Sequence, residues 1–183
     1  MEKLFEIYDD KHPVLRQICK KVELPLSNEK RKLILEMVQY LKNSQDEEFA
    51  EKNNIRPGVG IAAPQIGIAE RFVALYYVNE NDEVIQYGLV NPRIMVSSVK
   101  KAALRCGEGC LSVKEDQPGY VYRHYKITVK AFDAITNKEI TINARGYDAI
   151  VLQHELDHLD GILYYDRINK KDPTGEIENS VLI

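Results

Sequence analysis

Residues 153–161 read QHELDHLDG, and within them His154, Glu155 and His158 form a His-Glu-x-x-His pattern. Positions four apart share one face of a helix, so the two imidazoles can hold a single ion. Glu155 reaches the same pocket from an adjacent angle, where a carboxylate serves as general base and acid beside a bound water. Two side chains do not complete a metal site, and the third ligand decides its class. A metzincin would place another histidine at position 164, but that residue is Tyr164. Glu176 and Glu178 follow in a tail broken by Pro173 and Gly175, a poor helix from which to supply a thermolysin-like carboxylate ligand. Cys110, in the stretch CGEGCLS over residues 106–112, is the better candidate. A thiolate with two imidazoles gives three protein ligands and leaves a fourth position open for water, as catalytic sites do. Cys19 and Cys106 are read as small buried hydrophobes outside that set, because a second thiolate would close the site.

A further unusual stretch is GVGIAAPQIG, residues 58–67. It lacks the Lys-Ser/Thr that would follow a phosphate-binding loop. Its small residues would let a ligand backbone come close, and the Gln65 amide could donate to a developing oxyanion.

The elements that position these residues follow from periodicity. Over residues 27–44, Leu33, Met37 and Leu41 recur at helical spacing, with Ile34, Val38 and Tyr40 widening the stripe. Ser27 or Asn28 would cap this packing helix. Residues 71–78 and 84–90 read as strands around a turn at NEND, and residues 93–99 as another strand after a break at Asn91-Pro92. YKITVKAFD and KEITINA flank AITN as a hairpin. Residues 145–161 read as a helix ending at Gly161, a residue suited to a C-terminal cap. Leu152, Leu156 and Leu159 lie on one of its faces, Tyr147, Val151, His154 and His158 roughly opposite, with Gln153, Asp157 and Asp160 between. A helix apolar on two sides is a buried one. The fold class expected is α+β: antiparallel sheets packed around a central helix that carries the His-Glu-x-x-His pattern, with an N-terminal packing helix.

The 183 residues fit a single catalytic domain spanning 1–183. Apolar residues make up 44% and support an ordinary core, while a net charge of −3 gives no sign of a nucleic-acid-binding surface. No signal-peptide or transit-peptide pattern opens the chain, and no apolar stretch approaches the ~20 residues that span a bilayer. Three cysteines, an odd number, fit a reducing cytoplasm better than a disulfide framework.

Taken together, GVGIAAPQ (58–65), EGCLS (108–112) and QHELDHLDG (153–161) resemble the three motifs of the peptide deformylase family, in the family's order. The likeness runs from about Val14 to Tyr165 and includes LVNPRI (89–94). The VKEDQPGYVYRH segment and the apolar SVLI end look like the type 2 branch of Gram-positive bacteria. The resemblance implies a cytoplasmic bacterial enzyme that removes the N-formyl group from N-formylmethionine of newly made polypeptides and releases formate. It implies Cys110, His154 and His158 as ligands of one divalent ion, Fe²⁺ in the cell, with Zn²⁺, Ni²⁺ or Co²⁺ possible in purified protein. A metal-bound water would attack the formyl carbon with Glu155 as base and then acid, while the Gln65 side chain and the Leu111 backbone N–H hold the oxyanion. The substrate would lie along Gly58, Gly60 and Ile61, with its methionine in an apolar pocket near Tyr147, Val151 and His154. Glu108 and Arg123 would form an ion pair behind the ligands. Nascent peptides are the implied partners, with transient proximity to the ribosome and no membrane or nucleic acid. The rival enzyme is a zinc endopeptidase using His154, His158 and Glu178; the rival non-enzyme is a metal-binding domain of the same fold.

Overall fold

The computed structural model describes residues 4–183. Helix α1 spans Asn28–Ser44, and the Ser27 hydroxyl accepts the Lys30 N–H at its start, as the periodicity and the cap residue predict. A second helix, α2 (Glu47–Asn53), is capped by Asp46 and ends at Asn54 in the left-handed region. Periodicity did not reveal it, because it is short and mostly charged on its surface.

Five strands form the main sheet: β1 (Gly60–Ala62), β2 (Phe72–Val78), β3 (Val84–Ser97), β6 (Lys126–Asp133) and β7 (Lys138–Arg145). They lie in the order β1-β2-β3-β6-β7, and every pair is antiparallel. The expected hairpin is β6–β7, with Asn137 at φ 57° in its turn. The expected break at Asn91-Pro92 is not a break. β3 runs through it, with Asn91 at φ 51° and a register shift between Val90 and Arg93. The shift accommodates a proline that has no N–H for the ladder. The smaller sheet has the order β5-β4-β8, from β4 (Lys101–Ala103), β5 (Arg123–His124) and β8 (Ser180–Leu182). Its β4–β8 pair is parallel, a departure from the all-antiparallel expectation that brings the chain's last residues alongside β4.

Alternation along β2 sorts its side chains to two cores. Phe72 and Ala74 pack with Ile34, Met37 and Leu41 of α1. Val73, Leu75 and Tyr77 pack with Ala149, Val151 and Leu152 of the third helix, α3 (Gly146–His158). Covered on both sides, α3 is the buried central helix expected from its two apolar faces. Even Gln153 and Asp157, between those faces, are buried. Gln153 closes its own account by bonding the backbone of His124 on both sides. Regular helix stops at His158, earlier than predicted, but Gly161 does sit in the cap. Its N–H donates to His158 O and that of Ile162 to Asp157 O, with Gly161 at φ 71°.

A Cβ on Gly161 would stand 2.7 Å from Arg16 O. Gly161→Ala is therefore expected to lower stability by at least about 1 kcal/mol, read as a lower urea midpoint with the slope unchanged.

Candidate metal centre and cleft

α3 presents His154 and His158 on one side, and the coil after β4 brings Cys110 against them. The ligand atoms of Cys110, His154 and His158 all lie within 4.8 Å of one another, and no other such group of histidine, cysteine or carboxylate occurs among the described residues. Cys110 Sγ is 3.4 Å from His158 Nε2. Bonds of about 2.3 Å to sulfur and 2.0–2.1 Å to nitrogen at a tetrahedral angle would set such a pair about 3.5 Å apart, so the spacing fits an ion between them. His154 Nδ1 is 2.8 Å from Glu108 Oε2, which leaves Nε2 as its donor to a metal. His158 Nδ1 and Glu155 Oε2 are buried and have no hydrogen-bond partner. Unpaired buried polar atoms are rare; Glu155 Oε2 belongs to a residue that lines the cleft and marks a place built for a ligand, whereas His158 Nδ1 lies on the ring edge away from Cys110.

Burial pushes the Glu155 carboxyl up to about 7. That places it where a group can both take and return a proton near neutrality. Burial works against charge on His154, while hydrogen bonds to Cys110 and Glu108 raise it above the usual imidazole range; an ion held at Nε2 takes the place of that proton. Burial, reinforced by the charge on His154, drives His158 well below the usual imidazole range. Burial would raise Glu108, but hydrogen bonds from His154 and Arg123 hold it below the usual carboxylate range.

Behind the ligands lies the expected ion pair, and more. Arg123 Nε and Nη2 donate to Glu108 at 2.6 and 2.9 Å, while Nη1 donates to Asp157 at 2.7 Å. Arg167 closes the chain with two 2.6 Å bonds to Asp157. Asp157 and Arg167 were not singled out by sequence; the signal was a charged residue on a helix with no solvated side.

In front of the ligands, a cleft of about 300 Å³ is lined by Gly58, Gly60, Gln65, Cys110, Leu111, Tyr147, Val151, His154 and Glu155, all expected. Leu104 and Ile150 add apolar wall that sequence did not single out. A Cβ on Gly60 would collide with the Glu155 carboxylate, and one on Gly58 would come 2.8 Å from Leu111 Cδ1. These two glycines are needed for close approach. Ile61 differs from expectation: its side chain is fully buried on the α1 side, and Val59 lines the cleft instead. The Gln65 amide is fixed at both ends. Its Oε1 accepts Ala62 N–H at 2.8 Å, so Nε2 turns toward Ser112 Oγ at 3.1 Å and Cys110 Sγ at 3.6 Å. The Leu111 N–H has no partner among the described residues. Cys19 is buried as read, but Cys106 is exposed, not buried. Glu176 and Glu178 sit exposed in the tail, away from the ligand set, which removes the basis of the endopeptidase alternative.

A cysteine from the coil after β4, with two histidines and a glutamate from the central helix of an α+β architecture, forms the donor set and base of a metal-dependent hydrolase. Comparison with known proteins gives the family. The polypeptide deformylase family model matches residues 4–174. A peptide deformylase of Listeria monocytogenes serotype 4b is 48% identical over 169 residues, 92% of each chain. Peptide deformylase 2 of Bacillus subtilis is 45% identical over 177 residues, 97% of this chain and 96% of that one. The crystal structure of peptide deformylase from Thermotoga maritima superposes with a TM-score of 0.74 at 30% identity, covering 91% of this chain and 99% of that one. A Met-Ala-Ser-bound class I type b peptide deformylase from Acinetobacter baumannii superposes with a TM-score of 0.71 at 27% identity, covering 92% and 100%. The chain belongs to the polypeptide deformylase family.

Glu108 orients His154 from behind. Glu108→Ala is expected to weaken metal affinity by about 10- to 100-fold, measured by competition with a chromophoric chelator.

Proposed function

We propose that this chain, acting as one catalytic domain over residues 1–183, hydrolyses the N-formyl group of N-formylmethionyl nascent peptides and releases formate. The observation that carries the reading is the clustering of the Cys110, His154 and His158 donor atoms within 4.8 Å of one another, beside Glu155 in the cleft. When bound there, a divalent ion supplies the Lewis acidity that brings the ionisation of water toward neutrality. Family resemblance favours Fe²⁺ in the cell, although raw affinity ranks zinc above iron and the same donors suit Zn²⁺, Ni²⁺ or Co²⁺.

The chain's own residues do the rest. Glu155 takes a proton from the attacking water and delivers it to the methionine amine as the C–N bond breaks. Burial raises its carboxyl above the usual carboxylate range, which favours holding the proton between the two halves of that transfer. The Gln65 amide, locked by Ala62 and Ser112, and the unpaired Leu111 N–H are donors for the charge that develops on the formyl oxygen. β1 is an edge strand, so an extended peptide can add to it, with Gly60 giving its backbone access to Glu155. Tyr147, Val151, Ile150 and Leu104 form apolar wall for the methionine side chain. A nascent-chain substrate and the family resemblance support a reading in which the enzyme acts in the bacterial cytoplasm, transiently near the ribosome. No helix among the described residues is long and apolar enough to cross a membrane.

Formate release from formyl-Met-Ala-Ser by Ni²⁺-loaded protein tests the reading. Wild type is expected to turn over. Glu155→Gln is expected to bind metal and release essentially nothing, whereas metal-loaded wild type that released no formate would remove the assignment. Gln65→Ala is expected to lower kcat by about 100- to 1000-fold. Cys110→Ala should lose the metal while Glu178→Gln keeps it, as read by elemental analysis of the dialysed proteins.

A further inference from the structure

The end of α1 grips the chain just before β1. Ser44, its last residue, accepts the Gly58 N–H on Oγ at 3.1 Å and donates the same hydroxyl to Leu41 O at 2.7 Å. Gln45, the next residue, spends its amide nitrogen on two carbonyls, Gly58 O at 2.9 Å and Tyr76 O at 2.7 Å. Gln45, Gly58 and Val59 all line the catalytic cleft.

These bonds decide which way one peptide group points. The β1–β2 register sets Gly60 against Leu75, which brings Val59 opposite Tyr76 just outside the regular strand. A hydrogen-bonded antiparallel pair exchanges two bonds. Here one is made, from Tyr76 N–H to Val59 O at 3.0 Å. The other is not, because Tyr76 O accepts from Gln45 instead. Gly58 O faces the same amide nitrogen, so it lies turned toward β2. In a planar trans peptide the N–H points opposite to the carbonyl. The Val59 N–H is therefore directed away from β2, to the open edge of the strand, and it has no partner among the described residues.

Resting on the deformylase reading above, we propose that Gln45 is a positioning residue: it holds the Gly58–Val59 peptide turned outward and so keeps the Val59 N–H as a donor for a backbone carbonyl of the nascent chain. Without the Gln45 amide, Tyr76 O and Gly58 O lose their donor, and the Val59 N–H is the one that the register offers to Tyr76. Rotation of that peptide completes the pair with Tyr76 and withdraws the N–H from the cleft. The bond to substrate is made with its backbone rather than with the reacting formyl group, alike in ground and transition states. Its loss therefore raises KM and spares kcat.

Gln45→Met keeps the length of the side chain and removes its donor. With Ni²⁺-loaded enzyme and formyl-Met-Ala-Ser it is expected to raise KM about 3- to 10-fold, the size of one backbone hydrogen bond, with kcat unchanged. Gln45→Lys, whose ammonium carries three donors, should recover part of the loss. Amide hydrogen exchange at Val59, followed by NMR on Zn²⁺-loaded protein, gives a readout that looser packing does not imitate. In wild type the Val59 N–H should exchange fast and slow down when the product Met-Ala-Ser is added to saturation. In Gln45→Met it should already exchange more slowly without peptide, because it pairs with Tyr76 O, whereas a loosened strand would exchange faster. An unchanged KM in Gln45→Met, a loss in kcat alone, faster Val59 exchange in that variant, or a wild-type rate that Met-Ala-Ser does not alter overturns the proposal while leaving the deformylase reading intact. Absence of formate from metal-loaded wild type would instead sink the deformylase reading, and this inference with it.

Discussion

Everything at the metal centre leans on one buried cation. Arg123 is only 3% exposed, and its guanidinium joins Glu108 in the cysteine loop to Asp157 in α3. Taking those charges out of water is costly, and the arrangement holds because nearly every guanidinium and carboxylate position is used. Glu108 passes the constraint forward to His154, and Arg167 anchors Asp157 from behind. The loop that carries Cys110 is thereby tied to the helix that carries both histidines, on the side away from the cleft. Ligand geometry is then set by an ionic frame centred on the buried Arg123 rather than by the ion alone.

In front of that frame the chemistry depends on what is missing. Gly60 has no side chain because the Glu155 carboxylate occupies the space where one would be. Glu155 is itself only 4% exposed, with one oxygen unpaired. Burial and the unpaired oxygen give the carboxyl its proton-transfer character, and the strand edge alongside gives it access to a backbone. Stability is given up at Glu155 so that a reactive group can stand ready, which is what functional sites do.

Sequence exposed the parts of this that depend on local periodicity and residue type. The α1 stripe with its Ser27 cap, the β6–β7 hairpin, the burial of α3 and the choice of Cys110 over Glu178 were all readable, since each rests on spacing or ligand chemistry. What stayed hidden depends on partners distant in sequence. β3 continues through Pro92 because the ladder shifts register against β6. The parallel β4–β8 pair needs a tail that no local pattern marks as a strand. Asp157 looked like part of a polar stripe until Arg123 and Arg167, 34 and 10 residues away, covered it. Ile61 sits within a cleft-lining motif, yet the alternation of β1 turns it inward.

β2 has a consequence for how this molecule fails. Its successive side chains serve α1 on one side and α3 on the other, so a single strand is the shared wall of both cores. Slack introduced beneath α1 falls on Phe72 and Ala74, whose neighbours in the strand, Val73 and Leu75, support α3. The helix that bears no reactive group is in this way mechanically coupled to the one that bears three. Loss of packing in the α1 layer therefore bears on the strand that also supports α3.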